Sequence, residues 1–72
     1  MNVVKSYDAI IGKSYYIDPT LETYGKVLRF ENGGIYFELE SENNGYYITE
    51  EDNTIGFHVS KHIEFIEKND QI

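Results

Sequence analysis

The chain contains no cysteine and no tryptophan, and only one of its 72 residues is proline. Without cysteine there is no disulfide framework and no thiolate metal site, so a disulfide-stapled secreted mini-protein and a zinc ribbon are excluded. No apolar run approaches the roughly 18 residues that a membrane-spanning helix needs, and the first residues lack the basic and apolar regions of a signal peptide. We therefore expect a cytoplasmic protein without a membrane contact.

Positive charge is also scarce, because six Lys and Arg stand against 13 Asp and Glu, for a formal net charge of −7. Affinity for a phosphate backbone comes from cationic groups that displace counterions, so direct nucleic-acid binding is disfavoured. The excess of acidic over basic residues is confined to one part of the chain. Residues 31–52 hold seven acids and no Lys or Arg, whereas the other six acids are matched by six bases. Such a region serves either general solubility or a dedicated surface that steers the protein toward a basic partner.

The length of the chain limits it to one domain, since chains below roughly 80 residues have interior for a single small core. We expect that domain to span residues 1–72, with an ordered part at about 10–67 and a frayed tail at 68–72. A core of this size leaves little room for an elaborate catalytic cavity. The short length therefore favours a protein that acts through its surface.

The hydrophobic pattern is that of β-structure almost throughout. The clearest segment is 35–41, where Ile35, Phe37 and Leu39 alternate with polar residues, which predicts one core face and one solvent face. Turns are predicted at Asn32-Gly33-Gly34 and at residues 42–45, and the only segments that could hold a helical turn are 1–9 and 20–24. The predicted strands are 14–18, 24–31, 35–41, 46–49, 55–59 and 63–67.

Residues 60–62 are too few for a helix and fit a single 3₁₀ turn before the last strand, with His62 capping it. Five or six short strands in this order, separated by Gly and Asn turns, resemble the SH3-like barrel family over about residues 10–67. The resemblance implies an all-β fold, a small five- to six-stranded SH3-like barrel whose bent sheet is closed by the last strand. It does not carry over proline-rich peptide binding, because the tryptophan of those domains is absent.

Catalytic and metal-binding patterns are weak in this sequence. His58 and His62 are four residues apart, but on a strand and a turn they need not converge, and only Glu64 offers a third ligand. The serines lie in no strained elbow, and no helix follows Gly33-Gly34 to make a phosphate site. We therefore expect no enzyme activity, no metal and no cofactor.

A binding surface is predicted on the solvent face of the third strand. Side chains two apart on a strand lie about 6.6–6.8 Å apart, so Glu38 and Glu40 form a row of charge on a scale similar to that of DNA phosphates. Tyrosine is large, stiff and enriched at interface hot spots, which favours a contact surface over bare solvation. The predicted partner-binding residues are Tyr36, Glu38, Glu40, Glu42, Tyr46, Glu50, Glu51 and Asp52.

These features predict a small, acidic, non-catalytic inhibitor that occupies the nucleic-acid-binding groove of a larger basic protein. By size and charge the chain is similar in kind to phage-encoded inhibitors of bacterial defence nucleases, of the anti-CRISPR or anti-restriction type, some of which mimic DNA and act in the host cytoplasm. An alternative is an SH3-like accessory or adaptor module that binds a peptide or subunit through exposed tyrosines. The chain is expected to be a monomer or a weak homodimer paired through an edge strand.

Overall fold

A computed structural model describes residues 2–43, 47, 49, 51 and 53–68 of the chain. In these residues all six strands belong to one antiparallel sheet with the spatial order β1-β6-β2-β3-β4-β5, and the only helical element is a 3₁₀ turn at Ser6–Asp8. The all-β fold class is therefore confirmed. The strands are β1 Val3–Lys5, β2 Ser14–Tyr16, β3 Tyr24–Glu31, β4 Gly34–Leu39, β5 Thr54–His58 and β6 Glu64–Glu67.

The last strand returns to the beginning of the chain. β6 lies between β2 and β1, with Ile66 opposite Tyr16 on one side and opposite Val3 on the other. Strand β1 was not predicted, although the 3₁₀ turn that follows it lies inside the segment 1–9 predicted to hold a helical turn. In the described residues β1 and β5 are the two edges of this sheet, and the SH3-like barrel stays a prediction.

One face of the sheet forms the core. Ile35, Phe37 and Leu39 are buried, as their alternation predicts. The ring of Phe37 lies at the centre of an aromatic cluster, with ring centroids 6.5 Å from Tyr15 and 4.9 Å from Phe65 in edge-to-face geometry. Such contacts contribute about 0.5–1.5 kcal/mol per pair beyond the effect of the apolar area they bury. The cluster therefore stabilises the sheet that carries the outer face.

The turn between β3 and β4 is the tight hairpin predicted from Asn32-Gly33. Asn32 and Gly33 have φ values of 50° and 78°, the left-handed backbone that a two-residue hairpin turn requires. Further along the hairpin the register shifts by one residue between Val27 and Arg29. This β-bulge at Leu28 decides which side chains of β3 face those of β4.

The predicted helical turn at residues 20–24 is wrong. The buried carboxylate of Asp18 accepts hydrogen bonds from the backbone N–H groups of Thr23 and Glu22, at 2.9 and 3.1 Å, and from the Thr20 hydroxyl. Because the side chain binds these N–H groups, they are not available for helical bonds. Leu21 adopts a left-handed φ of 61° in the resulting loop.

The predicted strand 46–49 lies partly outside the described residues, which include only Tyr47 and Thr49 of it, and neither belongs to a strand. Tyr47 packs against the core instead, with its ring centroid 6.2 Å from that of Phe57. Its hydroxyl donates a hydrogen bond to the carbonyl of Ile17 at 3.3 Å. Tyr47 therefore covers one edge of the core.

The turn before β6 forms as a single turn, closed by a 3.2 Å hydrogen bond from the Ile63 N–H to the Ser60 carbonyl. Its cap is the Ser60 hydroxyl, which accepts from the His62 N–H at 2.9 Å, so the prediction that His62 caps the turn is wrong. In the segment predicted to fray, the Lys68 N–H donates to the Ser14 carbonyl at 3.0 Å, and residues 69–72 lie outside the described ranges.

Candidate functional site

The outer face of β4, extended by the residue that follows the strand, carries a line of three side chains, Tyr36, Glu38 and Glu40, which we call the β4 row. Strand alternation places all three on the face opposite the core residues of β4. Glu38 and Glu40 are exposed and Tyr36 is half-buried. Because β4 is hydrogen-bonded to β3 on one side and to β5 on the other, the row stands on a rigid interior strand.

Tyr36 is held in place by residues of both neighbouring strands. The guanidinium carbon of Arg29 on β3 lies 4.5 Å from the centroid of the Tyr36 ring, in cation–π geometry. On the β5 side the ring lies against Gly56, where a Cβ atom would stand only 2.7 Å from Cε1 of Tyr36. The Tyr36 ring is thus packed between a side chain of β3 and the backbone of β5.

Glu38 lies opposite Lys26 of β3 and opposite Thr54 of β5. The structure has three ion pairs within residues 2–43, 47, 49, 51 and 53–68, and none of them includes Glu38, Glu40 or Glu42. They are Lys5–Glu64, Lys13–Glu67 and Arg29–Glu31. The carboxylate of Glu38 therefore faces solvent without a direct ionic contact in the described part of the chain, with Lys26 as its cross-strand neighbour.

Glu40 follows the end of β4 and is bound to β2 through its side chain. The hydroxyl of Ser14 donates a 2.6 Å hydrogen bond to Oε1 of Glu40. The backbone N–H of Glu40 donates to the Tyr24 carbonyl at 2.9 Å, which extends the pairing with β3 past the strand end. A hydrogen bond to an ionised acceptor is stronger than one between neutral groups, so this contact restricts the carboxylate to one direction.

The other predicted site residues lie in the segment between β4 and β5. Glu42 is exposed just beyond the β4 row, and Glu51 is exposed and forms a backbone bridge with Thr54. Since Thr54 is the register partner of Glu38, this bridge brings the backbone of Glu51 to the same end of the sheet as Glu38. Tyr46, Glu50 and Asp52 are outside the described residues.

A shallow groove of about 170 Å³ runs beside Tyr36 at the β5 edge of the sheet. It exists because Gly34 and Gly56 have no side chains to fill the outer face next to the ring. Two other shallow cavities, of about 210 and 310 Å³, share Asp18 and Pro19 in their walls and do not include the β4 row. The groove is lined by Asn32, Gly34, Tyr36, Gly56, Phe57 and His58.

The histidines do not form a joint site. His58 is exposed at the end of β5 and His62 is exposed in the following turn. Across the residues that the structure describes, no group of three or more His, Cys, Asp or Glu is placed to hold a metal ion. The same residues contain no helix with the length and hydropathy to cross a bilayer.

Four residues of this surface were not identified from the sequence: Ser14, Lys26, Arg29 and Gly56. Lys26, Arg29 and Gly56 belong to the two strands beside β4 and Ser14 belongs to β2, and each of the four touches or faces a member of the row. Only the cross-strand register reveals them, and the sequence contains no local signal for the bulge that sets it. The surface is therefore an acidic row flanked by cations on β3, and not a field of acids alone.

No protein-family model, no curated protein and no solved structure matches this chain.

Proposed function

We propose that this protein is a small non-catalytic inhibitor that occupies the nucleic-acid-binding groove of a larger basic protein. The observation that supports this most strongly is the pair of exposed carboxylates on the outer face of the sheet, Glu38 within the interior strand β4 and Glu40 directly after its end. Residues so placed are about 6.6–6.8 Å apart, which lets a basic groove receive them as it receives successive phosphates. Neither carboxylate is neutralised by an ion pair in the described part of the chain.

The proposed mechanism is steric and electrostatic. Arg and Lys side chains of the target pair with the acids of the β4 row and with Glu42 and Glu51, while the ring of Tyr36 adds apolar contact. Charges of this kind steer the encounter and select the partner more than they add affinity. Because exposed charges are screened by salt, the complex weakens as ionic strength rises.

The particular form we propose is an inhibitor similar in kind to those that phages direct against bacterial defence nucleases. The short chain, the absence of cysteine and the formal net charge of −7 support this form. In the proposal the chain performs no chemistry, and it acts by taking the place of nucleic acid.

The test is capture of partners by the immobilised protein from a bacterial lysate, at about 50 mM and about 200 mM salt, a range over which phosphate-type contacts weaken strongly. We expect a basic nucleic-acid-binding protein to be retained at the lower concentration and released at the higher one. Added duplex DNA should displace it, because both ligands occupy one groove. Retention that DNA does not compete with would contradict the proposal.

A companion measurement is a gel shift with the protein alone. We expect no shift of duplex DNA, since a formal net charge of −7 opposes binding to a phosphate backbone. Tight binding of DNA by the isolated chain would replace the proposed inhibitor with a nucleic-acid-binding protein.

The alternative function is an accessory module that binds a peptide through its aromatic residues, and the groove beside Tyr36 favours it. Such a module would lose its partner on Tyr36→Ala and would keep it on reversal of the acids. Its binding would depend little on salt. These outcomes separate the two functions in the same capture experiment.

A further inference from the structure

Two tyrosine rings on the outer face of the sheet each carry a cation of the chain itself. The guanidinium carbon of Arg29 lies 4.5 Å from the centroid of the Tyr36 ring, and the Nζ atom of Lys68 lies 4.5 Å from the centroid of the Tyr24 ring. A cation within about 6 Å of a ring centroid is attracted by the negative face of the ring. The same geometry at both rings identifies each as a place that accepts a positive charge.

Tyr24 belongs to the outer face because of the register of β3. It precedes Gly25, which lies opposite the buried Leu39 of β4, so strand alternation directs Tyr24 to the face opposite the core. Tyr16 of β2 is its register partner, and the two ring centroids are 5.7 Å apart in edge-to-face geometry. The Tyr24 ring is therefore packed against a neighbouring strand, as the Tyr36 ring is.

Each ring has an acid of the β4 row beside it. Glu38 follows Tyr36 by two residues on the same face of β4, about 6.6–6.8 Å along the strand. Glu40 lies across from Tyr24, because its backbone N–H donates to the Tyr24 carbonyl at 2.9 Å. In the described part of the chain neither acid is in an ion pair, and the Ser14 hydroxyl binds only Oε1 of Glu40. A cation on either ring thus has a carboxylate close by that can receive it.

The contacts that Arg29 and Lys68 make with the rings are weak ones. A cation–π contact at an exposed site changes a binding constant by about two- to fivefold. Arg29 is also paired with Glu31 at 3.0 Å, but both side chains are exposed, and such pairs add little because solvent screens them. A cation of a partner can therefore replace either side chain at a small cost.

We infer that the rings of Tyr24 and Tyr36 are two receiving sites for Arg side chains of the partner, which displace the chain's own cations from them. Glu40 beside the first ring and Glu38 beside the second complete the sites. Arg is favoured over Lys because its planar guanidinium stacks on a ring and donates parallel hydrogen bonds to a carboxylate. This inference rests on the proposed function, since it names the chemistry by which the basic partner is recognised.

The distance between the two sites follows from the sheet. Tyr24 lies across from Glu40, which is four residues from Tyr36 along the chain. Four residues of a strand and one strand spacing separate the two tyrosine backbones by about 14 Å. Two Arg residues four positions apart on an extended segment span about the same distance.

The probe is a five-residue peptide with blocked ends that has arginine at both terminal positions and three glycines between them. It is titrated into the unaltered protein, and the tyrosine ring protons are followed by NMR. We expect the Tyr24 and Tyr36 resonances to shift with one common Kd. Tyr7, which is exposed in the 3₁₀ turn, is the internal control and should shift less. Absence of binding, or binding that leaves the Tyr24 and Tyr36 rings unchanged, overturns the inference.

Displacement of the chain's own cation is tested with Lys68→Gln. This variant vacates the Tyr24 ring and should raise peptide affinity about two- to fivefold. Lys61→Gln makes the same change of charge in the turn before β6 and should raise it less. In a Tyr24→Leu background the gain from Lys68→Gln should disappear. A gain that is equal in Lys61→Gln, or that persists without the Tyr24 ring, reflects charge alone and overturns the inference.

The ring itself is tested with two substitutions of Tyr24. Tyr24→Leu should lower peptide affinity about two- to fivefold, whereas Tyr24→Phe keeps an aromatic face and should bind as the parent protein does. Equal affinity of the two variants contradicts a role of the ring. Should Tyr24→Leu fail to fold, Arg29→Gln takes its place, because it vacates the Tyr36 ring and should raise affinity more than Lys61→Gln does.

Failure of this inference and failure of the proposed function give different results. If the peptide shifts both rings but no DNA-competed protein is captured from the lysate, the two receiving sites stand and the inhibitor does not. If capture is lost on reversal of Glu38 and Glu40 but is the same for Tyr24→Leu, Tyr24→Phe and the parent protein, the inhibitor stands and the assignment of the ring is wrong.

Discussion

Lys26 of β3 lies directly opposite Glu38 of β4 on the outer face of the sheet. Both side chains are exposed, and no ion pair joins them. The cation therefore stands beside the acid where a basic partner would approach. The positive charge of Lys26 repels a cationic partner and weakens its binding to Glu38. Removal of that charge should therefore strengthen the binding.

Lys26→Gln should tighten binding of the basic partner that the proposed function requires. An exposed charge interaction is about 0.2–1 kcal/mol, so we expect affinity to rise up to about fivefold at low salt. The measurement is a titration of the captured partner, purified and labelled, followed by fluorescence anisotropy. Lys61→Gln, which makes the same charge change in the turn before β6, is the control and should alter affinity less. Equal effects of the two variants would show that only net charge matters.

Gly56→Ala should destabilise the fold through Tyr36. The added Cβ would stand 2.7 Å from the tyrosine ring, and overpacking of this kind costs about 1–3 kcal/mol. In a Tyr36→Ala background the same substitution should cost less, with a coupling of at least about 0.5 kcal/mol in urea denaturation.

Gly25→Ala is the control for this comparison of Gly56→Ala with and without Tyr36. A Cβ at residue 25 would stand 2.7 Å from the backbone carbonyl oxygen of Glu38, which Tyr36→Ala cannot relieve. Its cost should therefore be the same with and without Tyr36. A Gly56→Ala cost that is likewise independent of Tyr36 would contradict the contact described here.

Much of this surface follows from local sequence signals. Alternation in β4 predicts the β4 row and the burial of Phe37, and Asn32-Gly33 predicts the hairpin that joins β3 to β4. Both signals act within a few residues, where backbone geometry and burial of one face decide the structure.

The bulge at Leu28 could not be predicted in this way. The hairpin turn alone sets Arg29 opposite Tyr36, and continued without a bulge it would set Lys26 opposite Leu39. The one-residue shift brings Lys26 to Glu38 instead. Bulges arise from how the whole sheet bends and twists, so the immediate neighbours of Leu28 do not reveal one.

Strand β1 was missed for a related reason. Val3–Lys5 is only three residues long, too short to show a period, and it pairs with β6 near the other end of the chain. The position of the pairing strand β6, and not a local sequence pattern, makes Val3–Lys5 a strand. The same limit applies to Asp18, whose role as an acceptor for three donors depends on the loop closing around it.

Asp18 should make the stability of the protein depend on pH. Its burial raises the carboxyl pKa, but hydrogen bonds from Thr20, Thr23 and Glu22 outweigh burial and lower the pKa overall. The unfolded chain therefore takes up the proton first as pH falls. The stabilisation is present above the unfolded pKa of about 3.9 and is lost as pH falls through the lower folded value.

Urea denaturation at pH 7 and at pH 3 measures this effect. Asp18→Ala should lower stability at pH 7 by about 1–3 kcal/mol, because buried N–H groups lose their acceptor. The difference between Asp18→Ala and the parent protein should shrink at the lower pH. Asp8→Ala, at an exposed acid in the 3₁₀ turn, is the control and should change little at either pH. A constant difference across the pH range would contradict the role given to the ionised carboxylate.

The central claim is that the acids of the β4 row, and not the net charge of the chain, bind the basic partner. Capture from lysate at low salt, with two charge-matched double variants beside the parent protein, tests it most directly. Glu38→Lys with Glu40→Lys reverses the row, and Asp8→Lys with Glu22→Lys changes the net charge equally at exposed positions elsewhere. We expect the first variant to lose the partner while remaining folded and the second to retain it. Equal retention by both variants, or equal loss, would contradict it.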